Sequence, residues 1–104
     1  PTMKARSIYA KLEFQNPGGS VKDRPARELL LEAEEQGKLQ RKGECIVEAT
    51  GGNTGVGLAM LASALGYKAK FVMPDVISRD KVDLMERFGA ETLLQPCVPY
   101  TDER

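Results

Sequence analysis

Apolar and polar positions follow two rhythms along this chain. Residues 8–14 (IYAKLEF) alternate in part with the two-residue period of a strand. Residues 22–36 instead carry a helical pattern, with Leu29, Leu30 and Ala33 set inward and Glu28, Glu32 and Glu35 outward. Between them, Asn16-Pro17-Gly18-Gly19-Ser20 is a turn cluster. Pro25 fixes where the helix begins, because a proline is tolerated only in the first turn, where its missing N–H would be unpaired anyway. The helix therefore starts near Lys22 or Asp23, Lys22 stands at its mouth, and Gly37 is placed to end it.

Further along, residues 44–49 (ECIVEA) predict a strand, residues 54–65 a helix, and residues 67–73 (YKAKFVM) a strand closed by Pro74-Asp75. Ser78 is placed to cap a helix running through Phe88, with Val82, Met85 and Phe88 on one face and Gly89 at its end. Residues 91–94 predict a short last strand before Pro96 and Pro99 break up the tail. This alternation predicts one α/β domain over residues 1–104, three-layered, with a mainly parallel sheet flanked by helices. The helix over 54–65 (TGVGLAMLASAL) has no charge on any side, so it must be covered on most of its circumference. A second domain or another subunit is expected over part of it.

Composition narrows the function classes. A chain of 104 residues closes one modest core. Lys+Arg and Asp+Glu each total 15, intermixed rather than clustered, and aromatics are 6%, which argues against a nucleic-acid reader or a charged membrane surface. No run spans a bilayer and no signal peptide opens the chain, so the cytoplasm is the expected location. Pro1 in place of methionine reads as processing or an excerpt. Cys45 and Cys97 form no CxxC pair and there is no histidine, so no metal site is expected. The two thiols read as free, buried or semi-exposed, in a reducing compartment.

The candidate chemistry gathers at two glycine-rich turns. In "EATGGNTGVGLAM" (48–60), Gly55 and Gly57 fall at or inside a helix start, where each costs roughly 1 kcal/mol relative to alanine. Something must approach closely there. Ligands of parallel sheets sit at the carboxyl ends of strands, and residues 16–20 and 50–53 both lead into helix N-termini, which favour an anion. Lys22 opposes its helix dipole by about 0.3–1 kcal/mol. A helix dipole and burial both favour the neutral form of an amine, the form that attacks a carbonyl. Each residue also has a plainer reading. Lys22 would be a surface lysine, Ser20 a helix cap, Gly51-Gly52 a tight turn and Asn53 an N-cap. A dinucleotide reading of Gly55-Val56-Gly57 with Asp75 is weakened by Met60, which stands where a third glycine is wanted. No lysine and hydroxyl residue follow the glycines in P-loop spacing.

"NPGGSVKDRPA" (16–26), "IVEATGGNTGVGLAM" (46–60), "GYKAKFVMPD" (66–75) and "KVDLMERFGAE" (81–91) resemble, in order and spacing, the cysteine synthase (O-acetylserine sulfhydrylase) and cystathionine β-synthase family of fold-type II pyridoxal-phosphate enzymes. The similarity runs from about Tyr9 to Tyr100. It implies that Lys22 holds pyridoxal 5'-phosphate and moves the substrate Cα proton, and that Asn53 hydrogen-bonds the cofactor's ring hydroxyl. Thr50, Gly51, Gly52 and Thr54 would clasp the α-carboxylate of an amino-acid substrate. A carboxylate and a ring edge are then what the glycine turn receives.

The implied reaction is β-replacement in cysteine biosynthesis, with O-acetylserine or serine as donor and sulfide or a thiol as acceptor. Family members commonly carry serine or alanine where Gly51 stands, so a hydroxyl contact is missing and the loop is less restrained. Family enzymes are longer, with two domains, and their phosphate-holding loop and pyridine-nitrogen partner lie downstream. The resemblance therefore implies one part of a longer enzyme, completed by a second domain or in a homo-oligomer, and weakly active or inactive alone. A non-catalytic interaction module and a nucleotide-binding α/β domain are the alternatives.

Overall fold

The computed structural model describes residues 6–40 and 43–97. Its elements are α1 (Asp23–Glu35), β1 (Cys45–Ala49), α2 (Asn53–Leu65), β2 (Lys68–Pro74), α3 (Arg79–Arg87) and β3 (Glu91–Gln95), with a 3-10 turn over Glu13–Gln15. The strands form a parallel sheet in the order β1-β2-β3. The α/β class with a parallel sheet and flanking helices thus holds. Two successive right-handed crossovers in one direction put α2 and α3 on the same face, and α1 packs on α2.

Burial follows the two-residue period of the strands. Ile46, Ala69, Phe71 and Met73 share one face in the register Ile46↔Ala69 and Glu48↔Phe71, and all four are buried with Val56, Leu58, Val82 and Met85 from the helices. On the opposite face Val47 is 63% exposed and Leu93 50%. Among the described residues, no helix covers that side.

The charge-free helix finds its cover inside the chain. Gly55, Val56, Gly57, Leu58, Ala59 and Ala62 of α2 are buried between α1, α3 and the sheet. Its exposed positions, Asn53, Ser63 and Ala64, are small or polar. The second body expected over this helix is therefore not required there. Exposed apolar side chains include Val47 and Leu93 on the far face of the sheet and Ile8, Tyr9, Leu12 and Phe14 ahead of α1.

Those residues correct a second expectation. The segment 8–14 is not a strand, because a strand needs a ladder partner and the sheet offers it none. Ile8 and Tyr9 are exposed, and the chain closes instead into the short turn, with the Gln15 N–H donating to the Leu12 carbonyl at 3.1 Å. Leu29, expected inward, is half exposed; the inward stripe of α1 runs Ala26, Leu30 and the partly buried Ala33. Both cysteines are exposed and unpaired.

Two anchors position α1. At its far end the buried Tyr67 donates its phenolic hydroxyl to Glu34 at 2.7 Å. Ahead of its start, Arg24 donates to both carboxylate oxygens of Glu13, at 3.0 and 2.8 Å, while Asn16 donates to Glu13 and to the Ser20 carbonyl. The turn before Lys22 is thereby tied to the helix after it.

The Arg24 hydrogen bonds hold the Glu13 carboxyl at about 2, below its usual 4.5, with Asn16 and Lys11 acting in the same direction and partial burial opposing them. Because the folded value lies below the unfolded one, this anchor is complete above pH 4.5 and is lost as the pH falls toward 2. Carboxyl NMR titration should place the Glu13 midpoint near 2 in the wild type and back toward 4.5 in Arg24→Ala.

Candidate active site

The turn after β1 is built by Thr50. Its N–H continues the ladder to the Val72 carbonyl at 3.0 Å, and its buried hydroxyl accepts the N–H groups of Gly52 at 3.2 Å and Gly55 at 3.0 Å. A helix start leaves four N–H groups without intrahelical partners. Thr50 thus satisfies two of the four at α2, and those of Asn53 and Thr54 have no partner among the described residues. The N-cap is Gly52, with φ +149°, a conformation glycine adopts at little cost. Asn53 is therefore not the cap. It is the first helical residue, and its exposed side chain is released for other work.

The glycines divide into two kinds. A Cβ on Gly55 would lie 2.6 Å from Thr50 Cγ2 and 2.9 Å from Met85 Sδ. One on Gly57 would lie 3.1 Å from Ala26 Cβ and 3.2 Å from the Lys22 carbonyl oxygen. The close approach that the helical glycines permit is thus by the protein's own side chains and backbone, not by a ligand. Gly51 has open space around it and no positive φ, so nothing in the fold requires glycine there. The dinucleotide reading loses its parts, since Gly55 and Gly57 are consumed by packing and Asp75 accepts the Cys97 N–H at 3.1 Å.

Lys22 is the N-cap residue of α1; its N–H donates to Ser20 Oγ at 3.1 Å, and its exposed ammonium has no partner among the described residues. Asn53 lies one turn before Gly57 on α2, and Gly57 touches the Lys22 peptide. The start of α1, which carries Lys22, therefore lies beside the first two turns of α2, which begins at Asn53. A recess of about 390 Å³ opens at the carboxyl ends of the three strands, where Ala49, Thr50, Gly51, Val72, Pro74 and Gln95 help to line it, and neither Lys22 nor Asn53 does.

Two residues of this neighbourhood carried no sequence signal. Asp23 is buried in the first turn of α1 and accepts the Gly18 N–H at 2.7 Å, which fastens the turn at 16–20. Lys81, in α3, donates its ammonium to Asn53 Oδ1 across 28 residues of sequence. Nothing in the spacing links that pair.

The family profile described as "Pyridoxal-phosphate dependent enzyme" matches residues 1–102. The chain belongs to that family. Within it, a cysteine synthase from Dictyostelium discoideum is 54% identical over 91 residues, covering 88% of this chain and 24% of the relative. A probable cysteine synthase from Bacillus subtilis (strain 168) is 52% identical over 92 residues, covering 88% of this chain and 29% of the relative. Among solved structures, a hydrogen sulfide-producing enzyme from Fusobacterium nucleatum superposes with a TM-score of 0.79 at 46% identity over 86% of this chain and 29% of that one. An O-acetylserine dependent cystathionine β-synthase from Helicobacter pylori does so with a TM-score of 0.79 at 45% identity over 86% of this chain and 29% of that one. The chain spans less than a third of the length of these relatives. No helix among the described residues is long and apolar enough to cross a membrane.

In this member of the family the turn should respond to alanine unevenly. Gly51→Ala should be neutral or stabilising by about 0.4–1 kcal/mol, because the position is open and the unfolded chain loses freedom. Gly52→Ala, at φ +149°, and Gly55→Ala, against Thr50 and Met85, should each destabilise by about 1–3 kcal/mol. Denaturant melts of the three variants check the order.

Proposed function

We propose that this chain carries the amine and amide side of a pyridoxal-phosphate site for β-replacement in cysteine biosynthesis, as one part of a longer enzyme. The observation that supports the reading most directly is the Gly57 contact, which sets unpartnered Lys22 beside the helix end that carries Asn53. The residues suit the cofactor. Lys22 offers an exposed primary amine for the aldehyde, and Asn53 offers an amide for the ring oxygen. The free N–H groups of Asn53 and Thr54, beside open Gly51, offer donors for a carboxylate at a helix N-terminus.

Pyridoxal phosphate, when bound, supplies the electron sink for chemistry at the substrate Cα. The residues of this chain position and move protons around it. Lys22 Nζ would hold the cofactor through its aldehyde and would take the proton from the substrate Cα. Thr50 keeps the turn rigid by holding Gly52 and Gly55, so the outward N–H groups meet the α-carboxylate without reorganising. Gly51 leaves that approach unobstructed. The donor is O-acetylserine or serine, the acceptor sulfide or another thiol, and the compartment the cytoplasm.

The test uses the protein at its full encoded length. Pyridoxal phosphate should generate a visible absorption band that is absent in Lys22→Ala. Formation of cysteine from O-acetylserine and sulfide should fall by about 10²–10⁴-fold or more in that variant. A band that persists in Lys22→Ala would overturn the assignment.

A further inference from the structure

Lys81 sits in the first turn of α3, where its N–H donates to the Ser78 cap at 3.4 Å. Its side chain leaves that helix and crosses the α2 cap. A Cβ on Gly52 would lie 3.0 Å from Lys81 Cδ and 3.5 Å from Cε, so the absent side chain at Gly52 is what gives the lysine stem its path. The stem ends with the ammonium donating to Asn53 Oδ1.

An amide has two unlike ends, an acceptor oxygen and a donor NH2, and an ammonium has donors only. The partner of Asn53 therefore decides which end faces which way. With Oδ1 held by Lys81, the NH2 group turns away from α3, and it has no acceptor among the described residues. The ring oxygen of pyridoxal phosphate is an acceptor when ionised and needs a donor opposite it. A neighbouring cation also polarises the amide and strengthens that donation.

Resting on the reading that Lys22 and Asn53 hold pyridoxal phosphate, we infer that Lys81 is a positioning residue. Its ammonium, laid over Gly52, fixes the orientation of the Asn53 amide so that the NH2 group meets the ring oxygen of the cofactor. Lys81 touches neither cofactor nor substrate in this role and acts only through Asn53.

The experiment measures equilibrium affinity for pyridoxal phosphate and the visible spectrum of the bound cofactor, in protein at its full encoded length. Lys81→Met should weaken binding about tenfold and shift intensity from the long-wavelength to the short-wavelength band. Lys81→Arg, which still donates to the amide oxygen, should restore both. In an Asn53→Ala background, Lys81→Met should change affinity by less than about twofold. The effect should also vanish with a pyridoxal phosphate analogue lacking the ring hydroxyl. If Lys81→Met unfolds the protein, Lys81→Gln, a neutral donor, carries the test and should keep the wild-type spectrum.

A full effect of Lys81→Met in the Asn53→Ala background, or with the deoxy analogue, would overturn the inference and leave the proposed function standing. So would no effect in the wild type. A wild type without any band that depends on Lys22 would overturn both.

Discussion

Helix α1 packs on α2 at a residue with no side chain. At Gly57 an added Cβ would sit 3.1 Å from Ala26 Cβ, 3.2 Å from the Lys22 carbonyl oxygen and 3.5 Å from Asp23 Cα. Backbone therefore packs almost directly on backbone, and the N-terminus of α1 can come no closer. Because Asn53 lies one turn before Gly57, this contact also decides which groups share a neighbourhood. A bulkier residue would push Lys22 outward from the end of α2. The helix-propensity cost of the glycine, about 1 kcal/mol, is offset by the packing of buried Ala26 and Leu30 that the close approach allows.

The second constraint is a transfer of duty. A helix beginning with Asn53 would ordinarily use that side chain, or the one before it, as a cap. Here the residue before it is Gly52, and the cap comes from Thr50, whose hydroxyl accepts from Gly52 and Gly55. The consequence is chemical. A capping asparagine would spend its oxygen on its own backbone, whereas this one spends it on Lys81 and keeps its NH2 group available. Thr50 is thus the support of the turn, with its hydroxyl already engaged, and under the proposed function the N–H groups at the helix start would receive the carboxylate.

Periodicity made most of the fold legible. Where a strong apolar rhythm met a turn residue, as at Ser78 and Gly89 around α3 or at Pro25 in α1, the element lies within a residue or two of its expected bounds. Residues 8–14 misled because alternation describes only the side chains of a strand, while its backbone needs a neighbour that sequence does not reveal. Leu29 misled because the inward stripe of α1 is set by small Ala26 fitting against Gly57, which turns Leu30 inward and leaves Leu29 at the edge. The glycine pattern correctly signalled crowding, but Gly55 and Gly57 are crowded from within and only Gly51 is open. Lys81 was illegible because its role arises from a contact between separate helices.

The electrostatics of the site run against what stability alone would select. Lys22 caps α1 and Lys81 stands in the first turn of α3, so each places a cation where the helix dipole is already positive. Acidic residues in these turns, Asp23 and Asp80, moderate the cost, but Asp23 is turned inward to the Gly18 N–H and gives Lys22 no side-chain partner. The N–H groups of Asn53 and Thr54, without partners among the described residues, add further positive potential beside the Asn53–Lys81 pair. A fold free of functional demands would place carboxylates at these positions. Under the proposed function, an anionic cofactor and substrate would complete this set of positive groups around Asn53 and Gly57.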